Sequence, residues 1–134
     1  MDRIQVKSTL LNEFISEWSD RTPYALDNMR FNPPDNSEWV RIRVLNNDSE
    51  QATLGEKNNR RFTRYGRVAY QVFIPLLGGT YDGDVLCEAI NNIFEGERFT
   101  DIVFYEGTWR QSEVENKDYY QFNGSIPFEF DQKK

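Results

Sequence analysis

The strongest constraint on the fold is the segment 60–96, in which a strand pattern runs directly into a helix pattern. One face of residues 68–74 consists of Val68, Tyr70, Val72 and Ile74. The other face is partly apolar too, which predicts a central strand that is covered on both sides. Pro75 ends this strand, because proline has no amide hydrogen to donate to a sheet ladder.

The glycine pair at 78–79 turns the chain, and a helix is predicted from there to about residue 95. Thr80 or Asp82 can cap its N-terminus with a side-chain oxygen. Its apolar stripe has helical spacing and consists of Val85, Leu86, Ala89, Ile90, Ile93 and Phe94. Gly96 lies where a left-handed residue ends many helices. A strand followed by a helix that packs back across it forms the nucleus of a two-layer fold.

The bulk composition limits the class of protein. With 134 residues the chain can bury a real core, and we expect one domain that spans residues 1–134. Its 16 basic and 22 acidic residues leave a net charge of −6, whereas a general nucleic-acid binder normally carries a basic surplus. No apolar run reaches the ~18 residues of a membrane span, and the charged N-terminus does not resemble a signal peptide. We therefore expect no membrane partner.

The sequence also lacks the commonest catalytic and metal-binding groups. It has no histidine, so Ser–His and Cys–His nucleophile pairs cannot be assembled from this chain. The one cysteine, Cys87, cannot form an internal disulfide. A single cysteine suggests a reducing compartment. The position of Cys87 near the apolar stripe indicates a buried, inert thiol. Carboxylate pairs cannot be located from the sequence, and we expect no enzyme activity and no catalytic residues.

The remaining elements follow from similar patterns. In the first half we predict a helix at 4–18, a connection at 24–37, a strand at 38–45, a turn at 46–48, a short strand at 51–54 and a loop at 55–66. The connection 24–37 is long, and Tyr24, Leu26 and Phe31 can pack it. In the second half we predict a strand at 102–105, a polar connection at 107–116 and a strand at 120–130. Within that last strand, Gly124 suggests a bulge or a close approach, and Pro127 an edge or a strand end.

These elements occur in the order α-β-β-β-α-β-β. Strands grouped before and after a helix are typical of α+β proteins, in which helices cover one side of an antiparallel sheet. We therefore predict an α+β fold with a mostly antiparallel sheet of about five to six strands and two helices packed on it.

Two short motifs could hold a ligand, and each has a simpler explanation. Glycines before a helix N-terminus can cradle an anion, but no lysine follows the pair at 78–79, and Asp82 and Asp84 would repel a phosphate. Asp82, Asp84 and Glu88 could hold a hard cation, but the full ligand series of a calcium loop is missing. Acidic residues in a first helical turn are favoured by the helix dipole alone. We therefore expect no metal and no cofactor.

One segment interleaves arginines with aromatic residues, namely Arg60, Arg61, Phe62, Arg64, Tyr65 and Arg67. Arginine and aromatic side chains can bind nucleic acid through phosphate contacts and stacking. They are also enriched in the residues that dominate protein–protein interfaces, and a basic patch can contact acidic surface on an identical neighbour in a ring. A solvated loop is the third interpretation. The sequence leaves all three open.

Five stretches carry a resemblance to a known family. They are PPDNSEWVRIRV (33–44), QATLG (51–55), RRFTRYGRVAYQVFIP (60–75), GGTYDGDVLCEAINNIFEG (78–96) and YYQFNGSIPFEFD (119–131). In this order, and after an initial helix, they resemble the small tail-terminator-like proteins of long-tailed bacteriophages. None of them is a catalytic signature. Residues 108–117 depart from the family pattern, which leaves their role open.

The resemblance implies a structural role. Proteins of this family form a six-membered ring on the end of a finished tail tube, where the ring stops polymerisation and offers a surface for joining the head. The implied partners are further copies of the chain, the tail tube protein and the head–tail connector protein, with DNA only passing through the channel. The implied location is the virion tail, after assembly in the cytoplasm of a bacterial host. An acidic chain suits a channel through which DNA must slide.

The candidate contacts with neighbouring subunits or with the tube lie in and beside the two long predicted loops, 24–37 and 55–66. We select them for their arginine and aromatic content: Arg60, Arg61, Phe62, Arg64, Tyr65, Phe31 and Trp39. Two alternatives stay open. One is another neck or tail component, such as a head–tail joining protein or a tube subunit. The other is a small ligand- or metal-binding domain.

Overall fold

A computed structural model of the protein describes residues 1–112 and 118–134. This part of the chain contains, in order, α1 (Arg3–Trp18), β1 (Tyr24–Leu26), β2 (Trp39–Gln51), β3 (Arg61–Pro75), α2 (Tyr81–Phe94), β4 (Arg98–Phe99), β5 (Ile102–Phe104), β6 (Thr108–Gln111) and β7 (Tyr119–Lys133). Three strands precede α2, as predicted, and four follow it. The predicted order of helices and strands is confirmed, with a small difference in the number of strands.

The seven strands form one sheet in the order β1-β2-β3-β7-β5-β4, and β6 pairs with β7 as well. β1 runs parallel to β2, and the other described pairings are antiparallel. The fold is therefore α+β with a mostly antiparallel sheet and two helices, which confirms the predicted class.

β3 is the central strand of this sheet. It pairs with β2 on one edge and, without a break from Arg61 to Pro75, with β7 on the other. The predicted face of Val68, Tyr70, Val72 and Ile74 is buried. Buried residues of both helices join it in one cluster: Val6, Leu10, Phe14 and Trp18 of α1 with Leu86, Cys87, Ile90 and Phe94 of α2. The core therefore lies between the helices and this face.

The opposite face of the sheet, which we call the open face, differs from the prediction. A central strand covered on both sides was expected, but a second buried cluster (Ala25, Trp39 and Phe73, with Phe31 and Tyr119 packed against it) covers only one end. Elsewhere this face of β3 carries Arg67, Ala69 and Gln71, none of which is buried. The partly apolar pattern of 68–74 arose because Phe73 belongs to the small cluster, not because a second layer covers the strand.

The ends of the two helices are formed in different ways. Asp2 and Gln5 form a capping box on α1: the Gln5 amide donates to Oδ1 of Asp2 at 2.8 Å, and the Asp2 amide donates to Oε1 of Gln5 at 2.9 Å. At the start of α2 the predicted side-chain cap is wrong. Thr80 has a helical rather than extended backbone, and its side chain makes no capping hydrogen bond. Gly96 has φ +71°, so the predicted left-handed helix stop is confirmed.

β2 is longer than predicted, and the predicted turn at 46–48 is wrong. Asn46 pairs with Gly66 and Ser49 with Arg64, so β2 carries one extra residue in a bulge and continues to Gln51. The predicted strand at 51–54 and the loop at 55–66 are corrected too, because β3 already begins at Arg61. Turn chemistry was overridden here because β3 offers a partner to each residue of β2 except those of the bulge.

The chain near Pro127 shows why a proline fits inside β7. The Pro127 carbonyl accepts a hydrogen bond from the amide of Tyr105 at 3.0 Å, so the main-chain groups of this residue face away from β3. On that side β5 pairs up to Phe128 and β6 starts at Ser125, which leaves Pro127 in the gap between them. The strand end suggested for Pro127 is wrong, because β7 continues to Lys133, whereas the edge suggested as the alternative fits a residue whose missing amide hydrogen falls in a gap of the ladder.

Three smaller points complete the fold. The connection at 24–37 begins with a short strand, β1, which the sequence did not predict. The polar connection at 107–116 contains β6, and its residues from 113 onward lie outside the described residues. No helix among the described residues is long and apolar enough to span a membrane.

Candidate functional site

The alternation of β3 divides the predicted arginine–aromatic cluster between the two sides of the sheet. Counting back from buried Val68 in steps of two places Arg64 and Phe62 on the core side. Arg61 and Tyr65 then lie on the open face, where Tyr65 is opposite Glu129 of β7. The structure thus brings these residues to one end of the sheet but not to one surface.

Arg64 is bound inside the chain. Its guanidinium is buried, with 6% of the residue exposed, and donates to Oγ of Ser49 at 2.6 Å and to Oε1 of Gln132 at 3.2 Å. It also lies 4.8 Å from the ring of Phe62. Burial, and then the charge of Arg3, lowers the pKa of Arg64. Its hydrogen bonds join β2, β3 and β7. These bonds within the chain are enough to explain why an arginine occurs at this position.

Arg60 and Arg61 are more accessible. Nε of Arg60 donates to the carbonyl of Lys134 at 3.2 Å, and Nε of Arg61 lies 3.8 Å from Oδ2 of Asp131 at the surface. Tyr65 is partly exposed on the same side as Arg61. Together with the exposed hairpin loop 52–59, these three residues form a surface that we call the hairpin end.

Phe31 and Trp39 lie at the other end of the sheet, in the small cluster on the open face. Trp39 stacks on Phe73 with ring centroids 4.1 Å apart, and Phe31 lies 5.0 Å from Trp39. Tyr119 contacts Trp39 edge-on, and its hydroxyl donates to the Pro34 carbonyl. Trp39 is 5% exposed, so in the single chain these rings hold the connection after β1 onto the sheet.

Between these two ends, the open face forms a concave surface that we call the arginine trough. Two rows of residues cross it from β2 through β3 and β7 to β6: Arg41, Gln71, Asn123 and Arg110, then Arg43, Ala69, Ser125 and Thr108. Arg67 lines it as well, and its volume is about 420 Å³. Small side chains form its floor and arginines its two sides, and no carboxylate is among its lining residues.

Two arginines of the trough are held in place. Nη1 of Arg41 donates to Oε1 of Gln71 at 3.4 Å, and Nε of Arg43 donates to Oδ2 of Asp27 at 2.9 Å. Arg67 and Arg110 are exposed. The trough is therefore a local basic surface in a chain whose net charge is −6.

A second concave surface, which we call the helix groove, lies between α1 and α2 on the other side of the sheet. Its volume is about 620 Å³, and it is bordered by the carboxylates Glu17, Asp84 and Glu88 and by one basic residue, Arg21. Tyr81 and Val85 add apolar surface there, with 77% and 43% of their area exposed. The helix groove is therefore acidic at its borders and partly apolar within.

Cys87 and Asp84 were considered for catalysis or metal binding, and in the structure Cys87 is buried and Asp84 is hydrogen-bonded within the chain. Burial, and then the charge of Asp84, raises the pKa of Cys87 to about 12, so its thiol is protonated at neutral pH. Oδ1 of Asp84 accepts a hydrogen bond from Nε1 of Trp109 at 3.1 Å. Within residues 1–112 and 118–134, no three carboxylate or thiol side chains are grouped closely enough to hold a metal ion.

The contact residues predicted from the sequence do not include Arg41, Arg43 and Arg110. The first two alternate with the buried residues of β2, so a period-two pattern already places them on the face away from the core. Arg110 could not be found in this way, because its place depends on the pairing of β6 with β7.

Comparisons with known proteins identify the family of this chain. The model of the phage tail terminator protein family matches residues 5–124. One solved structure matches with a TM-score of 0.65 and 14% identity over 92% of this chain and 94% of its own, a similarity that shows the fold alone. No protein with a curated description matches the sequence. Because the family model covers most of the chain, the protein belongs to the phage tail terminator protein family.

Proposed function

We propose that this protein ends the phage tail: copies of the chain form a six-membered ring on the finished tail tube, stop its polymerisation and offer a surface for joining the head. The family match over residues 5–124 carries this proposal, since the family is one of structural phage tail proteins. The protein then acts in the virion tail and is assembled in the host cytoplasm. Its partners are its own copies, the tail tube protein and the head–tail connector protein.

In this proposal the tube ends by surface complementarity. One face of the ring resembles a tube subunit and docks on the last tube ring. The opposite face lacks the surface that would recruit another tube subunit, so growth stops. Such a mechanism needs no catalytic group. The net charge of −6 favours a channel through which DNA passes without binding.

The hairpin end is our candidate for contacts with the tube or between subunits. From Asn46 onward β2 is exposed, and so is the loop that follows it, so this hairpin projects beyond the core. Arg60, Arg61 and Tyr65 at its base combine charge with an aromatic ring, a composition enriched at protein interfaces. Phe62 lies on the core side of the same strand. Arg64 is a poor test of this role, because removing it would also disturb the fold.

The experiment that tests the proposal adds the purified protein to tail tube subunits that are polymerising and measures tube lengths by electron microscopy. We expect elongation to stop, with a ring at the tube end. The double variant Arg60→Ala/Arg61→Ala should cap less well while its circular dichroism spectrum stays unchanged. Lys7→Ala, an exposed change on α1, serves as the control.

Three results would contradict the proposal. Tubes that grow at the same rate with and without the protein would exclude termination. Long tubes built from this chain alone would identify it as a tube subunit. Binding to the head connector without binding to tubes would favour a head–tail joining protein.

A further inference from the structure

The arginine trough and the helix groove have opposite net charge. Four arginines line the trough, with no carboxylate among its lining residues, whereas the groove is lined by three carboxylates and one arginine, Arg21. Trp109 lines both surfaces, but the trough opens on the open face and the groove on the helix side. Contact between a trough and a groove therefore requires two copies of the chain.

We propose that the arginine trough of one copy binds the helix groove of the next, so that the trough and the groove form the head-to-tail contact between copies of this chain. This inference rests on the proposed function, because it assigns the surfaces through which the ring is built. A contact between two different surfaces can repeat from copy to copy and close into a ring if the rotation is right.

The chemistry of the two surfaces supports a protein partner. Arginines can bind carboxylates with two parallel hydrogen bonds, and the exposed Arg67 and Arg110 are available for such contacts. On the groove side, Tyr81 and Val85 expose apolar area that binding would remove from water. A combination of opposite charges around apolar surface gives a contact both its orientation and part of its affinity.

The surroundings of the trough argue against nucleic acid as its occupant. Along β3 the next row beyond Arg67 pairs Tyr65 with Glu129, and the row after it pairs Thr63 with Asp131. A phosphate backbone that leaves the trough in this direction would meet those carboxylates. A neighbouring copy that contacts only the trough need not extend over those carboxylates.

The test exchanges the charges of the two surfaces. The trough variant is Arg67→Glu/Arg110→Glu, and the groove variant is Glu17→Lys/Glu88→Lys. All four side chains are exposed, and none forms a side-chain hydrogen bond with another residue of 1–112 or 118–134. Sedimentation velocity over a wide range of protein concentration measures self-association. Lys7→Glu/Arg98→Glu matches the charge change of the trough variant at exposed sites outside both surfaces.

We expect the wild-type chain and the matched control to associate alike. Each surface variant alone should associate at least about a hundredfold more weakly, because the attraction between the surfaces is lost and like charges face each other at the exchanged positions. An equimolar mixture of the two variants should regain association. In that mixture the glutamates in the trough of one variant meet the lysines in the groove of the other, and the remaining trough and groove have their wild-type residues.

The outcomes separate this inference from the proposed function. Wild-type rings with unchanged rings in both variants, or a mixture that does not recover, would overturn the trough–groove contact and leave the terminator role intact. A wild-type chain that stays monomeric at every concentration would also overturn it, and capping of tubes by that monomer would leave the terminator role standing. Loss of salt-dependent DNA binding in the trough variant, with self-association unchanged, would assign the trough to nucleic acid.

Discussion

Two glycines let aromatic rings of the core approach the backbone of another element. At Gly83 on α2, a β-carbon would lie 2.1 Å from Cε2 of Phe122, and at Gly124 on β7 it would lie 2.1 Å from Cζ of Tyr70. Phe122 and Tyr70 are buried and cannot swing into solvent. The close approach suggested for Gly124 by the sequence is thereby confirmed, without a bulge. Gly83 sets how closely α2 approaches the sheet.

We expect Gly83→Ala to destabilise the protein. Alanine favours a helix interior by about 1 kcal/mol over glycine, so helix propensity alone predicts stabilisation. Overpacking against a buried ring costs typically about 1–3 kcal/mol and should decide the sign. The free energy of unfolding from urea titration measures the balance.

Gly78→Ala is the control for that prediction. Gly78 has open space around it, with the nearest atom 3.9 Å from an added β-carbon. Its stability should change little. A Gly83→Ala variant more stable than the wild-type chain would show that α2 and β7 shift apart at no cost.

At the scale of elements, most of the predicted helices and strands that the structure contains have a long periodic pattern, and the short strand predicted at 102–105 is present as β5. The strand of Val68–Ile74, both helices and the last strand have repeated periodicity, and the structure contains each of them. β1 has three residues and no pattern of its own, so only its pairing with β2 defines it. The turn chemistry of residues 46–48 was outweighed by the partner that β3 supplies.

The residues of the candidate surfaces could be predicted only as far as the pattern of a single strand allows. Period two already places Arg41 and Arg43 on one face of β2. Their proximity to Arg110 depends on three consecutive pairings, β2 with β3, β3 with β7 and β7 with β6. No local property of the sequence encodes that register. Charge on one strand could therefore be predicted, but a trough across four strands could not.

Arg64 provides the test at this scale, since it links three strands. We expect Arg64→Ala to lower the free energy of unfolding by about 1–3 kcal/mol, because hydrogen bonds of a charged group are lost and Ser49 and Gln132 lose their partner. Arg61→Ala, at an exposed ion pair on the same strand, should cost less than about 1 kcal/mol. Chemical denaturation of both variants measures the difference. Equal losses would mean that the Arg64 hydrogen bonds do not hold the strands together.

At the scale of the whole molecule, one core joins most of the elements. The main cluster contains buried residues of both helices and of β2, β3, β5 and β7. The small aromatic cluster shares β2 and β3 with it, through Trp39 and Phe73. Among residues 1–112 and 118–134, no element with a buried face therefore has a core of its own. One domain over residues 1–134 remains our prediction.

We accordingly expect the monomer to unfold in a single cooperative transition. Tryptophan fluorescence should report on Trp39 in the small cluster and on Trp18 and Trp109 in and against the main core, and far-ultraviolet circular dichroism reports on the backbone. The midpoints from the two methods should coincide, as two-state unfolding requires. The variant Trp39→Phe leaves Trp18 and Trp109 as reporters of the main core. A separate, earlier transition seen only in the presence of Trp39 would contradict a single cooperative unit.

The position of β7 has a consequence for synthesis of the protein on the ribosome. β7 is made after all the other described elements. In the sheet, however, it lies between β3 on one edge and β5 and β6 on the other. Its pairing with β3 extends to Lys133, which lies opposite Arg61. Until it emerges, the edge of β3 is left without its partner, and such an edge can pair wrongly with other nascent chains. Folding of this sheet must therefore wait until β7 leaves the exit tunnel. The trough, which β7 completes, becomes available only after β7 has been made, so a nascent chain without β7 cannot join an assembly through it.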